Sequence, residues 1–225
     1  MKIITIATQK GGAGKTTIAT NLSVASAMCN KITLLIDADA RQQTSLEWFT
    51  KRENKENPMV IEAGDQKSLF KILDLAKLKK IDRVFIDTQG ADAPLVNDAI
   101  SRSDFCLMPC GSGGFDISAQ RITAEVVKRL KKNASFIITK CPPRGKETQE
   151  TKSILSGLGF GSANQKISNL KAYKDAAICS LSVLEYEPLG KAANEIKELF
   201  NWMEKQMVVN PILYDLKNEV NKNGK

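Results

Sequence analysis

Nine residues, Gln9-Lys10-Gly11-Gly12-Ala13-Gly14-Lys15-Thr16-Thr17, constrain this chain more than any other stretch. They follow an apolar run over residues 2–7 and precede a helical pattern over residues 16–28. A strand, a Gly-rich loop and a helix N-terminus in that order make a phosphate cradle. Small residues let backbone N–H groups turn inward, and the helix dipole adds partial positive charge. Gly11, Gly12, Ala13 and Gly14 are the cradle backbone, with Thr17 opening the helix. Lys15 is placed to reach the β- and γ-phosphates, and the Thr16 hydroxyl to ligate Mg²⁺.

Apolar strand-sized runs alternate with helical patterns along the rest of the chain. Strands are expected at residues 2–7, 32–36, 59–61, 83–86, 105–108, 135–139 and, more weakly, 165–167. Helices are expected at residues 16–28, 43–52, 68–78, 93–101, 116–132, 147–157, 170–177 and 190–206. Runs such as Val84-Phe85-Ile86 read as strands buried on both faces of a parallel sheet. The fold class is therefore α/β: a single doubly wound domain, mostly parallel, flanked by helices, with ligands at the carboxyl ends of its strands. The domain is expected over residues 1–206. Residues 207–225 read as an extension with a short helix at 211–220 and a frayed tail.

A phosphate cradle needs carboxylates at neighbouring strand ends. Asp37 and Asp39 close the second strand and, two apart, can point the same way. Asp87 closes the run Val84-Phe85-Ile86, the form of a Walker B strand. The 225 residues contain no histidine, which removes the usual general base. The five cysteines are scattered without a Cys-x-x-Cys pair, as reduced thiols of a cytoplasmic protein would be. No apolar run is long enough to cross a membrane, and the first strand leaves no room for a signal peptide.

Net charge is +8, and its distribution is uneven. Residues 128–174 hold eleven Lys/Arg against two Asp/Glu, whereas the remainder holds 22 against 23. A localised basic excess is the footprint of a polyanion, nucleic acid first and an anionic membrane second.

The nine-residue stretch departs from the general P-loop pattern, because Gln9 stands where that pattern has its first glycine. Lys10-Gly11-Gly12-Ala13-Gly14-Lys15-Thr16-Thr17 instead resembles the deviant Walker A motif of the ParA/MinD superfamily of dimeric ATPases. The resemblance runs from residue 1 to about residue 206. It includes Asp37-Ala38-Asp39, Met108-Pro109-Cys110 with Phe115-Asp116-Ile117, Ile137-Ile138-Thr139-Lys140 with Arg144, and Lys191-Ala192-Ala193.

That resemblance implies roles. Lys10 is the signature lysine, which crosses a dimer interface to the partner's nucleotide. Lys15 binds phosphate in cis, Asp39 contacts the attacking water, Asp37 sits nearer the Mg²⁺ shell, and Asp87 holds Mg²⁺ through water. The segment at Asp116 lies near the dimer interface, and the strand ending at Lys140 lies near the adenine. Two departures stand out. Ala40-Arg41 replaces the usual Pro-Gln, and Thr88-Gln89-Gly90 is not the usual sequence after its strand, although Gly90 retains a flexible backbone there.

The function so implied is slow, Mg²⁺-dependent ATP hydrolysis by a small-class ParA-like partition protein. Cofactors are ATP or ADP and Mg²⁺. The partners are a second copy when ATP is bound, DNA without sequence preference, and a ParB-like centromere-binding protein that stimulates hydrolysis. The setting is cytoplasmic and nucleoid-associated. Candidate DNA contacts are Lys140, Arg144, Lys146, Lys152, Lys166, Lys171 and Lys174. The alternative is a MinD-like membrane-associated positioning ATPase. Ile212, Leu213, Leu216 and Val220 form an apolar stripe, yet Asp215 and Glu219 interrupt its polar face, which argues against a membrane anchor. Electron-transfer relatives need cluster cysteines, and small-molecule kinases need an acceptor site and a lid; neither pattern is present.

Overall fold

Apolar, β-branched runs punctuated by helix-forming stretches fold as the alternation dictates. The computed structural model describes residues 1–53, 56–90, 93–141 and 147–208. Along the chain lie β1 (Lys2–Ile6), α1 (Lys15–Met28), β2 (Thr33–Ala38), α2 (Thr44–Thr50), β3 (Met59–Glu62), α3 (Gln66–Leu78), β4 (Arg83–Thr88) and α4 (Pro94–Arg102). They are followed by β5 (Phe105–Gly111), α5 (Gly114–Arg129), β6 (Ala134–Cys141), α6 (Glu147–Ser156), β7 (Ser162–Ser168), α7 (Lys171–Ile178), α8 (Val183–Tyr186) and α9 (Lys191–Val208). The strands form one sheet in the order β3-β2-β4-β1-β5-β6-β7, and every pairing is parallel.

Alternation along each strand sends its residues to opposite faces. Ile4, Ile6, Leu35, Phe85, Leu107 and Ile137 pack against α1 and α9. Their neighbours Leu34, Ile36, Val84 and Ile86 pack with Leu69 and Leu73 of α3. Cys106, Met108, Phe136 and Ile138 meet Ala124 and Val127 of α5 and Leu155 of α6. Truncating Phe85, which is fully buried mid-sheet, would cost about 3–5 kcal/mol.

Three features differ from the sequence expectation. β2 runs on to Ala38, because Asp37 and Ala38 pair in register with Asp87 and Thr88 of β4. β7 is a seven-residue edge strand despite its polar composition, recruited by β6. The short helix α8 was not anticipated; Ser182 and Glu185 form a capping box that stabilises its single turn. Residues 209–225, with the apolar stripe at 212–220, lie outside the described residues, whereas residues 207 and 208 belong to α9. No helix among the described residues is long and apolar enough to cross a membrane.

β1 is the switch point of the sheet. The chain winds outward to β2 and β3 on one side of it and to β5, β6 and β7 on the other. The crevice at its carboxyl end is where an open α/β sheet takes a ligand.

Candidate nucleotide site

The loop leaving β1 enters that crevice. Gly12 (φ 71°) and Gly14 (φ 90°) adopt left-handed backbone, which a side chain would strain and which turns successive N–H groups inward. Gly14 is also the N-cap of α1, whose first turn carries no acidic residue to compete with an anion. The loop is tied down on both flanks. Gln120 donates to the Thr8 hydroxyl at 2.9 Å, the Gln9 N–H donates to Thr123 Oγ1 at 3.3 Å, and Thr139 Oγ1 donates to the Ala13 carbonyl at 2.9 Å.

Lys15 is buried, and its Nζ donates to the Lys10 carbonyl at 3.3 Å. Burial lowers its pKa below the ordinary lysine value, although the Asp87 and Asp39 carboxylates pull the other way. A buried ammonium facing a cavity of about 280 Å³ has the charge and position to meet a phosphate. Gly12, Thr16, Asp39, Gln42, Gly90 and Lys140 are among the residues that line the same cavity.

Asp87 is fully buried at the end of β4. Its Oδ2 accepts from the Thr16 hydroxyl at 2.7 Å and from the Ser45 hydroxyl at 2.8 Å. Its Oδ1 has no hydrogen-bond partner among the described residues. Burial pushes the carboxyl up to about 7, against the lowering effect of the two hydroxyls. An orphaned carboxylate oxygen beside a threonine hydroxyl at a phosphate cradle fits Mg²⁺, a hard cation that keeps several waters and takes one or two carboxylates plus phosphate oxygens. No group of three His, Cys, Asp or Glu able to hold a metal occurs among the described residues, so the phosphates would have to complete the shell. Ser45 was not anticipated from the sequence. The available signal was a hydroxyl residue at the start of the helix after the Asp37–Asp39 pair.

The two acids at the carboxyl end of β2 have different positions. Asp39 is half-buried on the cavity wall, and its Oδ1 accepts from the Arg41 and Gln42 N–H groups at 3.3 and 3.2 Å. Asp37 has no solvent exposure. Its Oδ1 accepts from the Asp39 N–H at 3.0 Å and its Oδ2 from the Leu46 N–H at 2.9 Å. Burial raises its pKa while those N–H groups oppose the rise. Asp37 pairs in register with Asp87 across β2 and β4, and its bonds fasten the loop between β2 and α2. Gly90 closes the other wall, where a Cβ would stand 2.9 Å from the Gly11 backbone and 3.0 Å from Lys15 Nζ.

Lys10 is not in the cradle. Its ammonium pairs with Asp116 of α5 at 2.7 Å. Asp116, Gln120 and Thr123 follow one another up one face of α5, and they contact Lys10, Thr8 and Gln9.

A second cavity, of about 250 Å³, adjoins the first. It is apolar over Ile18, Ile167, Leu170 and Tyr173, and shares Gly14, Thr17 and Lys140 with the phosphate cavity. The basic residues expected on DNA take different positions. Lys140 lines both cavities and Lys174 lines the second. Lys152 donates to the Asn164 carbonyl at 3.0 Å, Lys171 lies 3.5 Å from Asp175, and Lys166 is half-buried on β7. Arg144 and Lys146 lie outside the described residues.

A family model described as an AAA domain matches residues 1–155. The maintenance of carboxysome distribution protein A of Halothiobacillus neapolitanus is 25% identical over 207 residues, which is 88% of this chain and 94% of that protein. The cell division ATPase MinD of Pyrococcus furiosus superposes with a TM-score of 0.77 at 17% identity, over 91% of this chain and 98% of its own. An ATP complex of Cyanothece McdA superposes with a TM-score of 0.69 at 18% identity, over 93% and 97%.

Proposed function

The chain belongs to the ParA/MinD superfamily of P-loop ATPases, and from that membership we propose that it is an ATP-driven positioning switch that moves a cargo over DNA. ATP with Mg²⁺ brings two copies face to face. The dimer binds DNA without sequence preference, and a cargo-bound partner protein stimulates hydrolysis and releases it. The cargo adaptor is a ParB-like centromere-binding protein or its counterpart on a protein assembly. The carboxysome protein's name supports keeping both kinds of cargo.

The observation that carries this reading is the division of labour between two lysines. Lys15 is buried in the cradle, whereas Lys10 stands at its mouth with a third of its side chain exposed. A lysine held outside its own cradle is available to a second copy's nucleotide. Lys10 would then place a cation on charge that develops during phosphoryl transfer.

Within one copy, Gly12 and Gly14 orient the phosphates and Lys15 neutralises them. Thr16 and Asp87 would hold Mg²⁺, which supplies charge neutralisation between phosphate oxygens when bound. Asp39 would orient the attacking water from the cavity wall. Gly90, against the Gly11 backbone, places the segment after β4 where it would sense the terminal phosphate. With no histidine in the chain, positioning and electrostatics carry the catalysis, and slow turnover follows.

Sedimentation of the protein with Mg²⁺ and either ATP or ADP tests the switch. A dimer with ATP and a monomer with ADP are expected; equal distributions would remove it. Retention of a random duplex that needs ATP and weakens steeply with salt tests the DNA arm. Strong liposome co-sedimentation without duplex retention would replace DNA with a membrane surface.

A further inference from the structure

Lys140, read from the sequence as a DNA contact, stands at the junction of the two cavities. They share Gly14, Thr17 and Lys140 among their linings. Any nucleotide with its phosphates in one cavity and its base in the other has to thread past this junction with its sugar and α-phosphate.

Three observations fit Lys140 to that position. Its backbone is left-handed (φ 53°), a conformation that costs a non-glycine residue free energy and is retained where the surroundings impose it. The preceding residue supplies the constraint, because Thr139 Oγ1 is bonded to the Ala13 carbonyl and ties the end of β6 to the cradle. The ammonium hangs over the loop: a Cβ on Gly12 would stand 3.8 Å from Lys140 Nζ. Finally, that ammonium has no hydrogen bond or ion pair among the described residues. By contrast Lys10 is paired with Asp116 and Lys15 is bonded to the Lys10 carbonyl.

We propose that Lys140 is a phosphate-binding residue of the nucleotide site, gripping the α-phosphate end of the chain's own nucleotide in cis. This rests on reading the two cavities as one nucleotide site. It withdraws Lys140 from the DNA-binding set. It also gives the single copy two cations on its own nucleotide, Lys15 at the terminal phosphates and Lys140 at the sugar-proximal end, and leaves Lys10 for a second copy.

The test is calorimetric titration of the full chain with ADP and with adenosine, both in Mg²⁺. Lys140→Asn removes the charge while keeping a residue that tolerates left-handed backbone. Losing one charge-assisted contact should weaken ADP and ATP equally, by roughly tenfold, and leave adenosine unchanged. Lys140→Arg should restore ADP binding to within about threefold, with melting curves confirming that both variants fold. At saturating ATP, duplex retention by Lys140→Asn should match the wild type. Unchanged ADP affinity in Lys140→Asn overturns the proposal. Lost duplex retention together with unchanged ADP affinity overturns it in favour of the DNA assignment. A wild-type protein that binds no ADP would instead sink the nucleotide-site reading, and this proposal with it.

Discussion

The ammonium of Lys10 stands 2.7 Å from the carboxylate of Asp116, on a different element 106 positions along the chain. The contact is built in: a Cβ on Gly111 would come within 2.5 Å of Asp116 Oδ2 and one on Gly113 within 3.1 Å, so glycines make room for the returning carboxylate. In a single copy Asp116 competes for the cation that the proposed dimer needs. The pair is partly exposed, which limits its worth to about 0.2–1 kcal/mol. Asp116→Asn should therefore lower the ATP concentration for half-maximal dimer by up to about fivefold in sedimentation. A raised requirement would mean that Asp116 positions Lys10 inside the dimer instead. Lys10→Ala should retain ADP affinity and lose the ATP dimer.

The carboxylates of Asp37 and Asp39 should separate by phenotype. Asp39→Ala removes a group on the cavity wall, so steady-state hydrolysis should fall about 100-fold or more while ADP affinity stays within about threefold. Asp37→Ala removes the acceptor of the partly buried N–H groups of Asp39 and Leu46, each loss costing about 1 kcal/mol. Its melting temperature should drop by several degrees. The opposite assignment, a stable Asp37→Ala that has lost only turnover, would make Asp37 a reacting-site residue.

Gly90→Ala places a methyl group against the Gly11 backbone at 2.9 Å and against Lys15 Nζ at 3.0 Å. Backbone cannot yield as a flexible side chain can, so the loop after β4 must withdraw. ATP affinity should fall about tenfold or more with little change in melting temperature, because the affected wall faces a cavity rather than the core. Wild-type affinity would show that this wall opens on binding.

Stability should depend on pH through Arg52 and Glu185. The guanidinium is bidentate to the carboxylate, at 2.9 and 2.6 Å, and stacks on Trp48 at 4.5 Å. Burial acts to raise the Glu185 pKa, but the Arg52 hydrogen bonds, the Ser182 N–H and the Arg52 charge together outweigh it and hold the group below its ordinary 4.5. A depressed folded pKa contributes stability that is complete above the unfolded value and is lost as pH falls through the folded one. Glu185→Gln should cost about 2 kcal/mol near neutral pH, given that the carboxylate is partly exposed. Its melting temperature should converge with the wild type below pH 4.5. A constant gap across that range would rule out the ion pair as the source.

Local chemistry written contiguously was legible without coordinates. The alternation of elements, the cradle from Gly11 to Thr17 and the strand-end acids depend on periodicity and on residues a few positions apart, and the sheet places them as that reading expects. Ser45 on Asp87, Gln120 on Thr8 and Asp116 on Lys10 were not, because each joins elements separated by tens of residues and their types are common on any surface. The charge count left the placement of its lysines open for a physical reason. A linear excess over residues 128–174 says nothing about which lysines turn inward, and Lys140 turns toward the cradle.

What the sequence determined by itself was the kind of molecule: a doubly wound α/β chain whose Gly-rich loop after the first strand has the form of a phosphate cradle and carries an extra lysine. Tertiary structure alone decided what that lysine does while the chain is single. Parallel strand order brings β5 beside β1, and with it α5 over the loop, so that Asp116 meets Lys10. An electrostatic contact depends on distance in space, and only the folded sheet sets that distance.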